Sequence, residues 1–472
     1  MEHSANKFNL IVIGTGVAAS TVAWECHSAG WKTAVIDSRP FGGTCALRGC
    51  DPKKVLVGGA ELIDWARRMQ NKGISYSETS NLNINWTDLM RFKRTFTESV
   101  PKEREDSFNK SGIASFHGNA RFIGPNPIRI TDEKNNSGLT IEGENILIAT
   151  GAKPAELNIT GEENVVTSEE FLELDELPDN VLFIGGGYIS FEFAHLAARA
   201  GSNVTILHRG KTPLAGFDPD LVSILLNRTR EVGINVKLQS SVKKIDPKDN
   251  GKKFDVYLST LENIPTGKNE TKIIETGLVI HGAGRVPDTD NLDLQLGGVQ
   301  LEQKGGVKVN EYLQSVSNPS VYAAGDAAAT KGIPLTPVAT YEGQIVAQNL
   351  LEGNHHKPNY EGIPSVVFTI PPLASVGLQE NMAKQLDLKF RTNFQDTSSW
   401  YSSRRIRENC SGYKVLIEDT TNLILGAHLL GTHAEEVINI FALAIRLGLG
   451  AEVLKKGIYT YPTNSSDITY ML

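Results

Sequence analysis

One pattern occurs twice in this chain and constrains it more than any other feature. A short apolar strand runs into a glycine-rich turn, then a helix, then a second strand whose last residue is polar. In the first copy Asn9–Leu10–Ile11–Val12–Ile13 reads as a buried strand and Gly14–Thr15–Gly16–Val17–Ala18–Ala19 as the turn. The stretch to Gly30 reads as a helix, and Thr33–Ile36 as the next strand, closed by Asp37. Gly14 permits the tight turn, Gly16 lets backbone N–H groups approach a pyrophosphate, and Ala19 permits close helix–strand packing. Asp37 can accept hydrogen bonds from a ribose 2′-hydroxyl. A glycine triplet alone is weak evidence, because many strand–turn–helix junctions need small residues. Strand, glycines, helix, strand and acid in that order are strong evidence.

The second copy runs Val181–Ile184, Gly185–Gly186–Gly187, a helix from Tyr188 to Gly201, and Val204–Leu207. The 23-residue step from Gly14 to Asp37 leads here from Gly185 to His208, followed by Arg209 and Lys211. A carboxylate would repel a 2′-phosphate, whereas Arg binds one through charge-assisted hydrogen bonds. The first copy therefore suits an adenosine with a free ribose and the second suits NADPH. The bland alternative makes Arg209 and Lys211 solvated loop charges and leaves NADH as the donor.

Composition limits the remaining choices. At about 150 residues per domain, 472 residues make three domains, or two with an extra lobe. Hydrophobic residues at 40% and charged residues at 21% exclude disordered, collagen-like and disulfide-stapled classes. A formal charge of −7 lacks the basic footprint of a nucleic-acid binder. No apolar run reaches the roughly 20 residues that span a bilayer. The polar stretch Met1–Leu10 leads us to expect no secretory signal. Four cysteines do not make a disulfide framework. The expected setting is a reducing cytoplasm, where a closely spaced pair is catalytic rather than structural.

Such a pair exists. Cys45 and Cys50 lie in Gly42–Gly43–Thr44–Cys45–Ala46–Leu47–Arg48–Gly49–Cys50–Asp51–Pro52–Lys53–Lys54, with a helix expected from Cys50 to Arg68. A helix N-terminus favours a thiolate, and two thiols so placed can cycle between disulfide and dithiol. Two unrelated buried cysteines are the alternative, disfavoured because half of the chain's cysteines fall within six residues. Cys26 and Cys410 read as packing residues. His355 and His356 lie in a linker, Gly353–Pro358, and read as solvated; no metal site is expected.

The segment Gly42–Lys54 resembles the redox motif of the class I pyridine nucleotide–disulfide oxidoreductases, the family of glutathione reductase, dihydrolipoamide dehydrogenase and mercuric reductase. The resemblance extends over Ala149–Pro154, Gly185–Glu192, Gly284–Pro287, Ala324–Asp326, Leu335–Ala339, Phe368–Thr369 and Ala374–Gly377. It implies an α/β fold with two Rossmann-like dinucleotide-binding domains, for FAD and NAD(P)H, and a C-terminal α+β dimerisation domain. Residues 1–152 would be the first FAD lobe, with Arg121–Ile146 as a small β-meander before its last strand. Residues 153–282 would bind NAD(P)H, 283–350 return to FAD, and 351–472 form the interface of a homodimer. The apolar helix Val437–Leu449 would supply interface surface.

By the same resemblance, Cys50 is the flavin-proximal cysteine and Cys45 the interchange cysteine that attacks a small-molecule or protein disulfide. Lys53 lies near the flavin with Glu192 as its ion-pair partner; an ordinary surface pair is the alternative. Tyr188 covers the nicotinamide pocket and Asp326 binds the ribityl chain. Gly43, Thr44, Thr150, Gly151, Gly284, Arg285 and Thr336 join the cofactor-binding set. The pattern breaks near the C-terminus. Thiol reductases there carry His-Pro-Thr and a Glu, the His coming from the partner subunit; this chain has Tyr461–Pro462–Thr463 and Ser466. Tyrosine, with a pKa of about 10, is a poor base near neutrality. Mercuric reductase has a Tyr near this place, but its C-terminal cysteine pair and N-terminal metal-binding module are not expected here. The glutathione-contacting serine and two arginines correspond to Val17, Trp24 and Gln344. Three readings remain: a reductase of an unidentified disulfide, a reductase of a metal ion or quinone, and a flavin-binding scaffold with weak turnover.

Overall fold

The computed structural model describes residues 6–75, 82–132, 137–260 and 272–472. Parts of the expected N-terminal stretch, β-meander and second nucleotide domain lie outside the described residues. The chain forms two compact units. The first comprises Met1–Lys53, Phe92–Ala155 and Arg285–Tyr360; the second comprises Lys54–Arg91, Glu156–Gly284 and Glu361–Leu472.

In the first unit, β1 (Lys7–Ile13), α1 (Val17–Ser28), β2 (Thr33–Asp37), α2 (Gly43–Arg48) and α3 (Cys50–Arg68) follow in order. The unit boundary falls within α3, after Lys53. β1 lies between parallel neighbours, so Leu10, Ile11 and Val12 are all buried and the strand reads as an unbroken apolar run. β2 pairs in turn with β3 (Ala114–His117). On the other side the expected meander is not an insertion before the last strand. β4 (Asn119–Phe122) and β5 (Pro127–Asp132) lead into β6 (Ser137–Ile148), which is both the meander's third strand and a central strand of the sheet. Its first half pairs antiparallel with β5, and its second half runs parallel to β1 and to Val321–Ala323. The physical reason is an unbroken period of two: Ile141 and Gly143 are buried, while Glu142 and Glu144 are exposed.

The second unit repeats the plan with β7 (Asn180–Ile184), α4 (Tyr188–Arg199), β8 (Asn203–Leu207), α5 (Pro219–Glu231), β9 (Asn235–Lys237) and β10 (Leu278–His281). These strands form a parallel sheet in the order β9-β8-β7-β10. α1 and α4 both stop two residues before the expected glycine. Gly30 (φ +92°) and Gly201 (φ +107°) lie past the helix end, where a left-handed residue closes the last turn. A five-stranded antiparallel sheet fills residues 365–430, and the helix Ala434–Arg446 packs on it. That helix ends earlier than Leu449. Val437, Ile438, Phe441 and Ala442 are buried against the sheet. Of its expected interface surface, Leu443 and the following Leu447 stay exposed.

Candidate active site

The first cradle is built on a glycine that no other residue could replace. Gly14 has φ +112°, and a Cβ there would lie 2.3 Å from the Ala149 carbonyl oxygen. Gly16 caps α1, and a Cβ on it would meet only Gly43 Cα, at 3.9 Å. Gly43 packs so closely on Gly16 that its own Cβ would come within 2.5 Å of Gly16 Cα. Ala19 is fully buried. Asp37 ends β2 with both carboxylate oxygens engaged. Oδ2 accepts from the Thr15 hydroxyl at 2.6 Å and Oδ1 from the Arg39 amide at 2.9 Å. Burial pushes the Asp37 carboxyl up, against the Thr15 and Arg39 hydrogen bonds and the charge of Arg48.

In the same unit, Thr150 Oγ1 is buried with no hydrogen-bond partner, and nothing among the described residues lies within 4 Å of a Cβ on Gly151. A buried unpaired hydroxyl beside open glycine backbone fits a ligand that supplies acceptors. Asp326 stands in the single turn Gly325–Ala327; burial pushes its carboxyl up while Arg285 opposes. The turn is propped by buried Glu342. Glu342 accepts from the Gly325 amide at 2.7 Å, the Thr330 hydroxyl at 2.8 Å and the Tyr360 hydroxyl at 2.7 Å. The glycines, the orphan hydroxyl and the two carboxylates together suit FAD.

Both redox-motif cysteines are free thiols, Cys45 partly buried and Cys50 exposed. Cys50 Sγ lies 3.3 Å from Thr336 Oγ1. Thr336 opens the 17-residue helix Thr336–Glu352, so the sulfur faces that helix's N-terminus as well as sitting at the start of α3. The Cys50 thiol is pulled down to about 6, first by a hydrogen bond from Cys45, then by Thr336 and Lys53, against burial and Asp51. Cys45 is pushed up, by donating that hydrogen bond and by burial. The two thiols are thus shifted in opposite directions, Cys50 toward the thiolate and Cys45 toward the thiol. Thr44 sits one position before Cys45 in α2. Cys26 and Cys410 are buried packing residues. Trp24 stacks on Phe108 at 5.2 Å, and Gln344 is exposed.

The second cradle repeats the first glycine. Gly185 has φ +113°, and a Cβ would lie 2.2 Å from the Gly282 carbonyl oxygen. Gly187 caps α4, and Tyr188 at its first position is 47% exposed. The polar residue after β8 behaves differently from Asp37. His208 lies against the backbone of Gly186, and its Nε2 is 3.0 Å from the Thr212 carbonyl. Burial holds its imidazole below the ordinary histidine value, against the Thr212 bond and with help from Arg209. Arg209 and Lys211 are exposed and carry the loop's charge. Glu192 is buried, unlike an ordinary surface acid, and accepts from the Phe368 amide at 2.8 Å. Lys53 and Glu192 fall in different units, as do Cys45 and Tyr461. Tyr461 is 77% exposed, and Ser466 is engaged in a local capping box with Thr463.

Residues 8–343 match the model of the pyridine nucleotide-disulphide oxidoreductase family, and residues 363–472 match its dimerisation domain. The chain belongs to this family. A mercuric reductase of Staphylococcus aureus is 31% identical over 98% of this chain and 81% of its own length. A glutathione reductase of Burkholderia cepacia is 31% identical, covering 93% of this chain and 92% of its own. A solved structure, the Cu(II) complex of the HOCl-induced flavoprotein disulfide reductase RclA from Escherichia coli, aligns over 99% of both chains with TM-score 0.86 and 26% identity. The protein is thus a FAD-dependent NAD(P)H disulfide oxidoreductase. Among the described residues, no helix of this flavoenzyme is long and apolar enough to cross a membrane. None of them form a group of three or more His, Cys, Asp or Glu side chains able to hold a metal ion.

Sequence reasoning missed three supports. Thr15 holds Asp37, Glu342 props the Asp326 turn, and Thr336, expected to bind cofactor, also touches Cys50 through its hydroxyl. Thr15 was visible as the one side chain inside the first glycine turn. Glu342 gave no local signal, because its three partners come from separate segments.

Proposed function

We propose that this flavoenzyme takes electrons from NADPH and passes them through Cys45 and Cys50 to a disulfide acceptor. The observation that carries this reading is the free thiol pair, with Cys50 at the start of α3 and its Sγ 3.3 Å from the Thr336 hydroxyl. Gly14, Gly16, Ala19, Asp37, Gly43, Thr44, Thr150, Gly151, Gly284, Arg285, Asp326 and Thr336 would hold FAD. Gly185, Gly187, Tyr188, His208, Arg209 and Lys211 would hold the pyridine nucleotide. Bound FAD supplies two-electron relay from the pyridine nucleotide to the Cys45–Cys50 disulfide.

In the reduced pair, Cys50 takes the thiol proton of Cys45 along their hydrogen bond. The Cys45 sulfur then attacks one acceptor sulfur, forming a mixed disulfide and releasing a thiolate that Cys50 protonates. Cys50, again a thiolate, attacks Cys45 and closes the disulfide, and the second acceptor thiolate leaves. Lys53 favours negative charge on Cys50. This route needs no histidine at position 461. Because Cys50 must be ionised to take the Cys45 proton, disulfide turnover rises with pH through the Cys50 range near 6, and Tyr461→Phe reduces it only modestly. Arg209 and Lys211 favour NADPH moderately, since Ala215 stands where strong NADPH users carry a second arginine. The segments 1–152 with 283–350, 153–282 and 351–472 would serve FAD, pyridine nucleotide and a homodimer interface, in a cytoplasmic enzyme.

A second reading, reduction of a metal ion, is favoured by two observations. Tyr461 replaces the histidine of thiol reductases, and the similar proteins include mercuric reductases and a Cu(II) complex. NADPH oxidation by the holoprotein against disulfides, metal ions and quinones separates the two. Disulfide turnover that Cys45→Ser abolishes supports the first reading, and turnover with metal ions alone supports the second. Thiolate absorbance of the reduced protein checks the pair itself. The midpoint should fall near pH 6 and move up toward the ordinary cysteine range in Cys45→Ala. An unmoved midpoint would show that the Cys45 hydrogen bond does not hold the charge.

A further inference from the structure

His208 occupies the place that Asp37 occupies in the first cradle, yet its contacts give it a property no carboxylate has. Its ring lies between two glycines. A Cβ on Gly186 would fall 2.5 Å from Cγ and Nδ1, and one on Gly210 would fall 2.7 Å from Nε2. Nε2 is 3.0 Å from the Thr212 carbonyl, which only accepts, so Nε2 carries the hydrogen. In the neutral ring Nδ1 is then an acceptor, on the ring edge that lies beside Gly186 in the glycine turn.

An acceptor there can receive a hydrogen bond from a ribose 2′-hydroxyl, the task a carboxylate performs in NADH-binding folds. A protonated ring instead presents Nδ1–H to a 2′-phosphate. Asp can do only the first and Arg only the second. We propose that His208 is a specificity-determining residue that makes this enzyme's choice between NADPH and NADH depend on pH. The proposal rests on the reading that the second cradle binds the pyridine nucleotide.

The glycine turn offers backbone only, and β9 offers the Lys237 carbonyl, which accepts from the His208 amide at 2.9 Å. Arg209 is the charged neighbour that acts on the imidazole, and Lys211 lies two residues beyond it. Burial and Arg209 both favour the neutral ring, so near neutrality His208 serves as the acceptor and Arg209 supplies the attraction for phosphate. Acidification adds a second cation on the phosphate side and removes the acceptor that NADH uses.

The test is the NADPH:NADH ratio of kcat/KM from pH 8 to pH 5.5, in wild type and in His208→Gln. The 2′-phosphate itself gains a proton near pH 6, as phosphate monoesters do, and the variant records that effect alone. Dividing the wild-type ratio by the variant ratio should give a quotient that rises roughly tenfold on acidification, one pKa unit of differential binding. Parallel profiles would overturn the proposal. His208→Asn, checked for normal FAD content, guards against a variant that fails to fold. A wild type that oxidises neither pyridine nucleotide would overturn the cradle assignment; pH-independent NADPH preference would overturn only the role of His208.

Discussion

The two glycine turns share one backbone and differ in one matched pair of side chains. In both, the first glycine has φ near +112° and its amide bonds to the end of the second strand, Gly14 to Ile36 at 2.7 Å and Gly185 to Leu207 at 2.8 Å. In both, a methyl group there would press on a neighbouring carbonyl. The difference lies at the middle residue and its partner. Thr15 extends a hydroxyl to Asp37, whereas Gly186 leaves the room that the His208 ring fills. The middle residue is therefore chosen by the residue that ends the second strand, and the pair sets the charge of the site. Geometry common to both turns makes each a nucleotide cradle, and the pair makes the cradles different.

Breaking the common part should have the largest effect. Gly14→Val should leave the protein colourless, while Gly185→Val should keep the yellow colour and lose turnover with NADPH. Flavin absorbance and steady-state rates read the two outcomes separately, and a variant that keeps both properties would contradict the backbone argument. Breaking the matched pair comes next. Gly186→Thr should collide with His208 and lower kcat/KM for NADPH by roughly tenfold or more, and His208→Ala in the same chain should restore part of it by removing the collision. Arg209→Ala should lower kcat/KM for NADPH roughly 10- to 100-fold with little change for NADH, the loss of a charge-assisted hydrogen bond.

Thr15→Val strips Asp37 and the Gly42 amide of a buried partner and should cost about 1–3 kcal/mol of stability by denaturant melting. The smallest effect is in pH dependence, where the cradles should diverge. Asp37 is pushed up by burial, so its carboxylate protonates above the ordinary range and FAD affinity should weaken on acidification. The second cradle should gain preference for NADPH over the same change. Affinities measured from pH 7 downward would blunt the comparison if both sites moved in the same direction.

Much of this was legible in the sequence because its causes are local. Strand β1 is apolar at every inner position, Gly14 and Gly185 begin turns that only glycine can make, and α3 starts at Cys50 as its spacing suggested. The course of β6 was not legible. Its polar middle resembles a break, and only the pairing of each half with a different neighbour makes it one strand. The helix after His433 looked like interface surface, because apolar residues do not announce which side covers them; most of them cover the sheet of their own chain.

The sequence by itself determined the two cradles, the cysteine pair and the family, since each rests on residues close together along the chain. The tertiary structure decided which charges are held and by what. Cys50 meets Thr336 across 286 residues, and Asp64 is clasped by Arg199 across 135. Burial sets His208 toward the neutral form although its charged neighbours made the loop look uniformly cationic. The physical reason is that an ionisable group responds to the dielectric and partners around it, and these are assembled only when distant segments pack.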